Sequence, residues 1–347
     1  MEIKDFVNKY DIQNQFAVLQ NTYQQIEYAW GNEVEGIENY TNESFNSIIV
    51  TGLGGSAISG DLMDNFLREE MKLPYSVNRN YKLPNYANEN TLVIASSYSG
   101  NTEETISATH DALARGCKII CITTGGKLEE LAVKNNLPIA RLQRGYQPRY
   151  ALAVNFFTLL KIMQSLNLAS DHNSFVEEAK KLFKQKAEEY SQNKNPAFSF
   201  AEKLTGFIPV VYSVDGYTSA VGSRLKGQFN ENSKTHAFHN VFPEFNHNEI
   251  VGWETFKEKD FFGKVIFIDE VQYNERIKKR MNILKEIIQN AGAEVLVIGS
   301  DQKTYKVRLL DMIFFGDWAS YYLAVLRGKD PSEIDNIVYL KERLSKE

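Results

Sequence analysis

Hydroxyl side chains crowd one short stretch of this chain, Ser96-Ser97-Tyr98-Ser99-Gly100-Asn101-Thr102, directly after the apolar run Thr91-Leu92-Val93-Ile94-Ala95. A glycine-rich stretch, Thr51-Gly52-Leu53-Gly54-Gly55-Ser56, follows Ser47-Ile48-Ile49-Val50 in the same way. Each reads as a strand turning into a helix. At a helix start the backbone N–H groups lack partners and the dipole is positive, so an anion is attracted; short hydroxyls add donors without charge. Asn101-Thr102-Glu103-Glu104 is a start signal for the second of these helices. Neither loop carries a lysine, and the Walker spacing is absent. The pattern suits a small phosphate monoester rather than a nucleoside triphosphate. A glycine-rich turn can also serve packing alone, and for the first loop both readings stand. In the second, the hydroxyls of Ser97, Ser99 and Thr102 around Gly100 exceed what a cap requires.

Three further segments carry groups that could do chemistry. Gln147-Pro148-Arg149-Tyr150 opens an apolar helix with a cation. Beside a phosphate loop, Arg149 could stabilise a developing oxyanion; it could equally cap or pair with a neighbour. Lys226-Gly227-Gln228-Phe229-Asn230-Glu231-Asn232-Ser233-Lys234 places Glu231 at the end of a helix among amides. Such a carboxylate is either an oriented base or a solvated helix end. Phe242-Pro243-Glu244-Phe245-Asn246-His247-Asn248-Glu249-Ile250 frames His247 between two asparagines, where an amide can fix its tautomer. His236 and His239 have the spacing of a metal-ligand pair, but no cysteine or third ligand accompanies them, so no metal is expected.

The elements that must position these groups alternate. Apolar runs at 47–51, 91–96, 118–123 and 137–141 read as strands, and 57–70 and 102–115 as amphipathic helices between them. Near-continuous apolar strands imply a parallel sheet covered on both faces. Residues 5–30 carry Phe6, Tyr10, Ile12, Phe16 and Leu19 at helical spacing, and an apolar helix runs over about 149–166. The charged helical stretch 172–194 ends in Gln192-Asn193-Lys194-Asn195-Pro196, which reads as a link. A second run follows, with strands at 208–212, 264–268 and 294–298 and helices near 219–230, 273–291 and 310–327. Gly54-Gly55-Ser56-Ala57-Ile58-Ser59-Gly60 lines up with Gly216-Tyr217-Thr218-Ser219-Ala220-Val221-Gly222, so the halves read as a duplicated α/β unit. Where the second half should match the hydroxyl cluster it has Asp269-Glu270-Val271-Gln272. That acidic pair should repel an anion, so one phosphate per chain is expected. The expected division is a helical segment 1–40, an α/β domain 41–168, a helical linker 169–198 and a second α/β domain 199–347.

Bulk properties narrow the partners. At 347 residues there is room for two sizeable cores. A net charge of −5 provides no field to draw nucleic acid. Cys117 and Cys121 are four apart, which is not a redox or zinc spacing; both should pack as reduced thiols. The sequence begins without the basic and apolar regions of a signal peptide. The apolar stretch Tyr150–Leu160 is too short to span a bilayer. A reducing cytoplasm is the expected setting, with no membrane partner.

Taken together, these segments resemble the two-domain sugar isomerase (SIS) proteins, and specifically the bifunctional phosphoglucose/phosphomannose isomerase family. The residues that carry the resemblance are Gly52–Ala57, Ser96–Thr105, Pro148-Arg149-Tyr150, Asn230–Lys234, Phe245–Glu249 and the tail Asp330-Pro331 with Leu340-Lys341-Glu342-Arg343-Leu344. The resemblance implies two SIS-type α-β-α sandwich subdomains, each with a mainly parallel sheet. It implies aldose–ketose interconversion with no metal or cofactor. Gly55, Ser56, Ser97, Ser99 and Thr102 would hold the phosphate of glucose 6-phosphate. His247, helped by Lys341, would open the ring. Glu231 would shuttle a proton between C2 and C1 through a cis-enediol, and Arg149 would stabilise its charge. It further implies a homodimer whose active sites are shared, the histidine coming from the partner chain. Mannose 6-phosphate differs only at C2 and gives the same enediol; Ser332 is the hydroxyl placed to bear on that choice.

Two other readings stay open. A non-catalytic SIS sensor of sugar phosphates would need the hydroxyl cluster but neither Glu231 nor His247. An SIS enzyme of amino-sugar phosphates would share the phosphate loop but lack Asn246-His247-Asn248-Glu249.

Overall fold

The computed structural model describes residues 2–258 and 261–344. Its contacts divide the chain into two compact units, 21–184 and a second made of 1–20 with 185–347. The chain opens with α1 (Ile3–Tyr10) and α2 (Gln15–Gln20), which belong to the second unit. The unit 21–184 then contains α3 (Thr22–Gly31), β1 (Val34–Glu35), β2 (Ser47–Thr51), α4 (Gly54–Phe66), β3 (Tyr75–Asn78) and β4 (Thr91–Ser97). It continues with α5 (Glu103–Ala114), β5 (Lys118–Thr123), α6 (Gly126–Lys134), β6 (Ile139–Arg141), α7 (Leu152–Ser165) and most of α8 (Asn173–Tyr190). The six strands run in the order β1-β6-β5-β4-β2-β3, all parallel except β1 against β6.

Every residue of β2 and β4 is buried, as their unbroken apolar runs require. The two-residue period sorts their side chains between layers. Ile49, Val93, Ala95, Ile119 and Cys121 pack in one cluster with Ala108 and Ala112 of α5 and Leu128 and Ala132 of α6. On the other face, Gly60 of α4 lies against Val50 and Val77, and Asn155 of α7 accepts a hydrogen bond from Ser96 (3.5 Å). Both thiols are buried and unoxidised, and burial pushes Cys121 up to about 12.

The second unit continues with α9 (Pro196–Leu204), β7 (Ile208–Val214), α10 (Ser219–Glu231), β8 (Phe238–Phe242), β9 (Gly263–Ile268) and α11 (Glu275–Asn290). It ends with β10 (Val295–Ile298), α12 (Tyr305–Leu326) and α13 (Asp335–Leu344). Its four strands are parallel in the order β10-β9-β7-β8. Val210, Tyr212, Val214, Val265 and Phe267 meet Met281, Leu284 and Ile288 of α11. Helix α12 is long and apolar enough to cross a membrane by length and composition, but 89% of its most apolar window is buried. It is the unit's central helix, read from sequence only from 310 onward.

The expected helical stretch 5–30 is three helices. Ile12, expected on its apolar face, is 80% exposed in the break between α1 and α2. Asp11 makes that break: its carboxylate accepts from the backbone N–H groups of Gln15 and Phe16 (both 2.8 Å), starting α2, and from the Tyr321 hydroxyl of α12 (2.8 Å). Phe16 meets Trp318 edge-on at 5.3 Å. Asp11→Ala removes the cap and strands a buried phenol. It should cost about 2 kcal/mol, read as a lowered urea midpoint of this unit by tryptophan fluorescence.

Candidate active site

In the first unit the chain leaves β2 toward β3 on one side and β4 toward β5 and β6 on the other. The adjacent strands β2 and β4 therefore form a topological switch point, and their loops part at the carboxyl edge of the sheet, where open α/β sheets bind ligands. Both hydroxyl-bearing loops lie there. A Cβ on Gly52 would stand 2.7 Å from the Ser96 carbonyl and 3.1 Å from Ser56 Cβ, so the two loops touch.

The second loop is held by hydrogen bonds among its own hydroxyls and backbone groups. Thr102 occupies the N-cap of α5 but makes no side-chain cap; its hydroxyl pairs with Ser97 Oγ at 2.9 Å. Ser97 Oγ also accepts from Gly100 N at 3.1 Å, and Ser99 Oγ accepts from Asn101 N at 3.3 Å. Gly100 has a φ of +70°, and a side chain there would overlap the Gly125 carbonyl. The first turn of α5 is thus free of a capping side chain, as is that of α4, whose helix starts at Gly54 rather than near residue 57. Ser56 and Ser97 are buried, Thr102 half-buried and Ser99 exposed.

Arg149 joins this group through Gly55. A Cβ on Gly55 would lie 2.5 Å from the Pro148 carbonyl, so only glycine lets the turn Pro148–Tyr150 seat directly on the first turn of α4. Arg149 is only 4% exposed and stacks its guanidinium 5.5 Å from the Tyr150 ring. It lies in its own short 3-10 turn, separate from α7. The backbone of the Arg149 turn therefore adjoins the glycine-rich loop, which in turn touches the strand that ends in the hydroxyl loop.

Glu231, His247 and Lys341 lie in the second unit, on three separate elements. Glu231 is the last residue of α10 and half-buried. The residues after it are tied to α12 and the loop beyond it: Asn232 Nδ2 donates to Ser320 Oγ (2.9 Å), Ser233 Oγ to the Ser320 carbonyl (2.7 Å), and Lys234 Nζ to the Asp330 carbonyl past the helix. Upstream, Arg224 forks onto Asp317 (2.9 and 2.8 Å), and Gln228 Nε2 donates to the same carboxylate (2.9 Å). Burial raises the Asp317 carboxyl, with Arg224 opposing. His247 stands exposed in a 3-10 turn after β8. The flanking amides do not fix its tautomer as expected. Asn248 Oδ1 accepts from Glu249 N, the buried Asn246 Oδ1 is unpartnered, and among the described residues the His247 ring makes no hydrogen bond. Lys341 is exposed on α13, and Ser332 is buried. His239 Nε2 bonds Ser213 Oγ at 2.7 Å, and burial, with Lys226 nearby, holds it down at about 4. Among the described residues no group of three or more His, Cys, Asp or Glu is arranged to hold a metal.

Residues 193–344 match the profile described as bacterial phospho-glucose isomerase C-terminal SIS domain, and 43–141 that of the SIS domain. The bifunctional phosphoglucose/phosphomannose isomerase of Caldicellulosiruptor bescii is 40% identical over 95% of this chain and 98% of its own length. The chain belongs to this family. A D-glucosamine-6-phosphate 4-epimerase of Sulfolobus acidocaldarius is 31% identical over 72% of this chain and 78% of that protein. Among solved structures, a hypothetical protein from Thermus thermophilus superposes with a TM-score of 0.73 at 15% identity, covering 99% of this chain and 92% of that one, a likeness of fold.

This isomerase-family chain has a second switch point, between β7 and β9, where the acidic pair divides, Asp269 exposed and Glu270 buried. Glu270 is not a free repelling charge. It is 1% exposed and forked by Arg308, whose Nε and Nη2 donate at 2.9 and 2.6 Å. The Tyr273 hydroxyl bonds Thr218 Oγ1 and donates to the Ile268 carbonyl (3.1 Å). The hydroxyl expected to mirror Ser56 is thus engaged by a phenol, and the acidic group by its own cation. Sequence reasoning missed Arg308, as it missed Asp317 and Ser320, because all three lie on α12, far along the chain from what they hold. Glu270→Leu should cost about 3–5 kcal/mol by leaving a buried guanidinium unpaired, and Glu270→Leu with Arg308→Met should recover most of it. Urea midpoints of the single and double variants decide.

Proposed function

We propose that this chain interconverts glucose 6-phosphate and mannose 6-phosphate with fructose 6-phosphate through a shared cis-enediol. Membership of the isomerase family over nearly the whole chain carries the reading. In it, Gly55, Ser56, Ser97, Ser99 and Thr102 hold the phosphate at two uncapped helix starts. His247 and Lys341 open the ring. Glu231 takes the C2 proton of the aldose while O1 gains a proton, giving the enediol; returning the proton to C1 with loss of the O2 proton yields the ketose. Arg149 stabilises the charge that develops on the oxygens. Ser332 bears on discrimination at C2. No step is assigned to a metal or cofactor.

A homodimer with shared active sites is part of the proposal. His247 is exposed and makes no hydrogen bond among the described residues, and α13, with Lys341, exposes Ile337, Val338, Tyr339, Leu340 and Leu344. The two buried free thiols suit a reducing cytoplasm. The relative named for glucosamine 6-phosphate makes an amino-sugar substrate the reading to test against.

The test is a coupled assay of the EDTA-treated protein with glucose, mannose, fructose and glucosamine 6-phosphates. Turnover of the first three is expected, with Glu231→Gln lowering kcat by about 10²–10⁴-fold for both aldoses. Turnover of glucosamine 6-phosphate alone, or full activity of Glu231→Gln, would defeat the proposal.

Ser97→Ala with Ser99→Ala should act on binding. Each lost hydrogen bond to a charged oxygen is worth about 1.5–3 kcal/mol, so with two lost KM should rise by at least about 10²-fold for every 6-phosphate substrate. An unchanged KM in the double variant would move the phosphate elsewhere.

A further inference from the structure

We propose that Asp317 is a positioning residue for Glu231: beside Ser320, which holds Asn232, it fixes the last turn of α10 against α12. The inference rests on Glu231 acting as the base proposed above. Glu231 closes its helix, and helix ends fray. A base that serves two adjacent carbons cannot tolerate fraying, since a displacement of about 1 Å can cost about 10²-fold in rate.

The chain holds this end from both sides. Arg224, Gln228 and Asn232 recur every four residues and so share one stripe of α10. Arg224 Nε and Nη2 and Gln228 Nε2 all donate to the Asp317 carboxylate. Arg224 and Asp317 keep only 5% and 11% of their side chains exposed. The third member reaches the same turn of α12 through Ser320, whose Oγ accepts from Asn232 Nδ2 (2.9 Å) while donating to the Asp317 carbonyl (2.8 Å). Glu231 follows Gln228 by three residues and precedes Asn232 by one, so it stands about 60° and about 100° off the clamped stripe. The stripe therefore holds the helix backbone from which the Glu231 side chain departs.

The turn beyond is held as well. Arg327 Nε donates to the Ser233 carbonyl at 3.0 Å, and Asn230 Oδ1 accepts from Ala237 N at 3.0 Å. Residues on each side of Glu231 are thus anchored. Asp317 is not itself the base, because its carboxylate is buried and already accepts the three donors of α10.

Asp317→Asn and Ser320→Ala test this in the full chain, beside Glu231→Gln. For each, kcat, KM and the primary deuterium isotope effect with C2-deuterated glucose 6-phosphate are measured. Loosening the base should lower kcat by up to about 10²-fold in Asp317→Asn and by less in Ser320→Ala, with KM nearly unchanged. The isotope effect should rise in both as proton abstraction becomes slower. That ratio is a property of each turnover and does not move when only the folded fraction falls. Should Asp317→Asn fail to fold, Ser320→Ala decides. Wild-type kcat in the folded variants overturns the proposal, as does a lower kcat with the wild-type isotope effect. If Glu231→Gln is inactive while both clamp variants behave as wild type, only this inference falls. If Glu231→Gln keeps full activity, the base assignment fails, and the positioning role fails with it.

Discussion

The parallel pairing of β2 with β4 is the constraint on which the hydroxyl constellation depends. Its register sets Thr51 beside Ala95, one step before the hydroxyl loop begins. Because the chain fills the sheet outward from this pair, α4 and α5 pass to opposite faces and their starts diverge at one edge. Two helix N-termini then face the same opening, and neither is closed by a capping side chain. Register matters at the level of single hydroxyls. Ser96 faces α7 and bonds Asn155, whereas Ser97 faces the loop and bonds Thr102. A slip of one residue would exchange them.

The second unit repeats the topology and reverses the electrostatics. At its switch point the donors are already matched from within: a phenol on Thr218, a guanidinium on Glu270. A buried donor without an acceptor is costly, and so is a buried charge without a counterion. In the first unit neither helix start carries a side-chain cap, while in the second the matching hydroxyl and carboxylate are held by other side chains of the unit. That frees the second unit for other work. Its helix α12, almost wholly buried, holds Glu270 with Arg308 at one end and ties down the end of α10 with Asp317 and Ser320 further along, as does Arg327 just past its last turn.

What the sequence alone determined is local. The apolar runs at 47–51, 91–96, 118–123 and 264–268 became strands nearly residue for residue, because a strand buried on both faces has little polar sequence to blur it. The hydroxyl cluster was legible because a loop and its helix cap are encoded within a few residues. Glu231 at its helix end was legible for the same reason, and so was the need for a parallel sheet. Tertiary structure decided the rest, since each remaining feature joins residues far apart in the chain. Nothing local says that Gly55 must be bare for the Pro148 carbonyl, that residues 3–20 pack in the unit formed by the second half, or that Glu270 is neutralised by Arg308. His247 shows the converse. Two flanking asparagines suggested a held imidazole, but backbone direction turned their amides elsewhere, and proximity in sequence did not become a hydrogen bond.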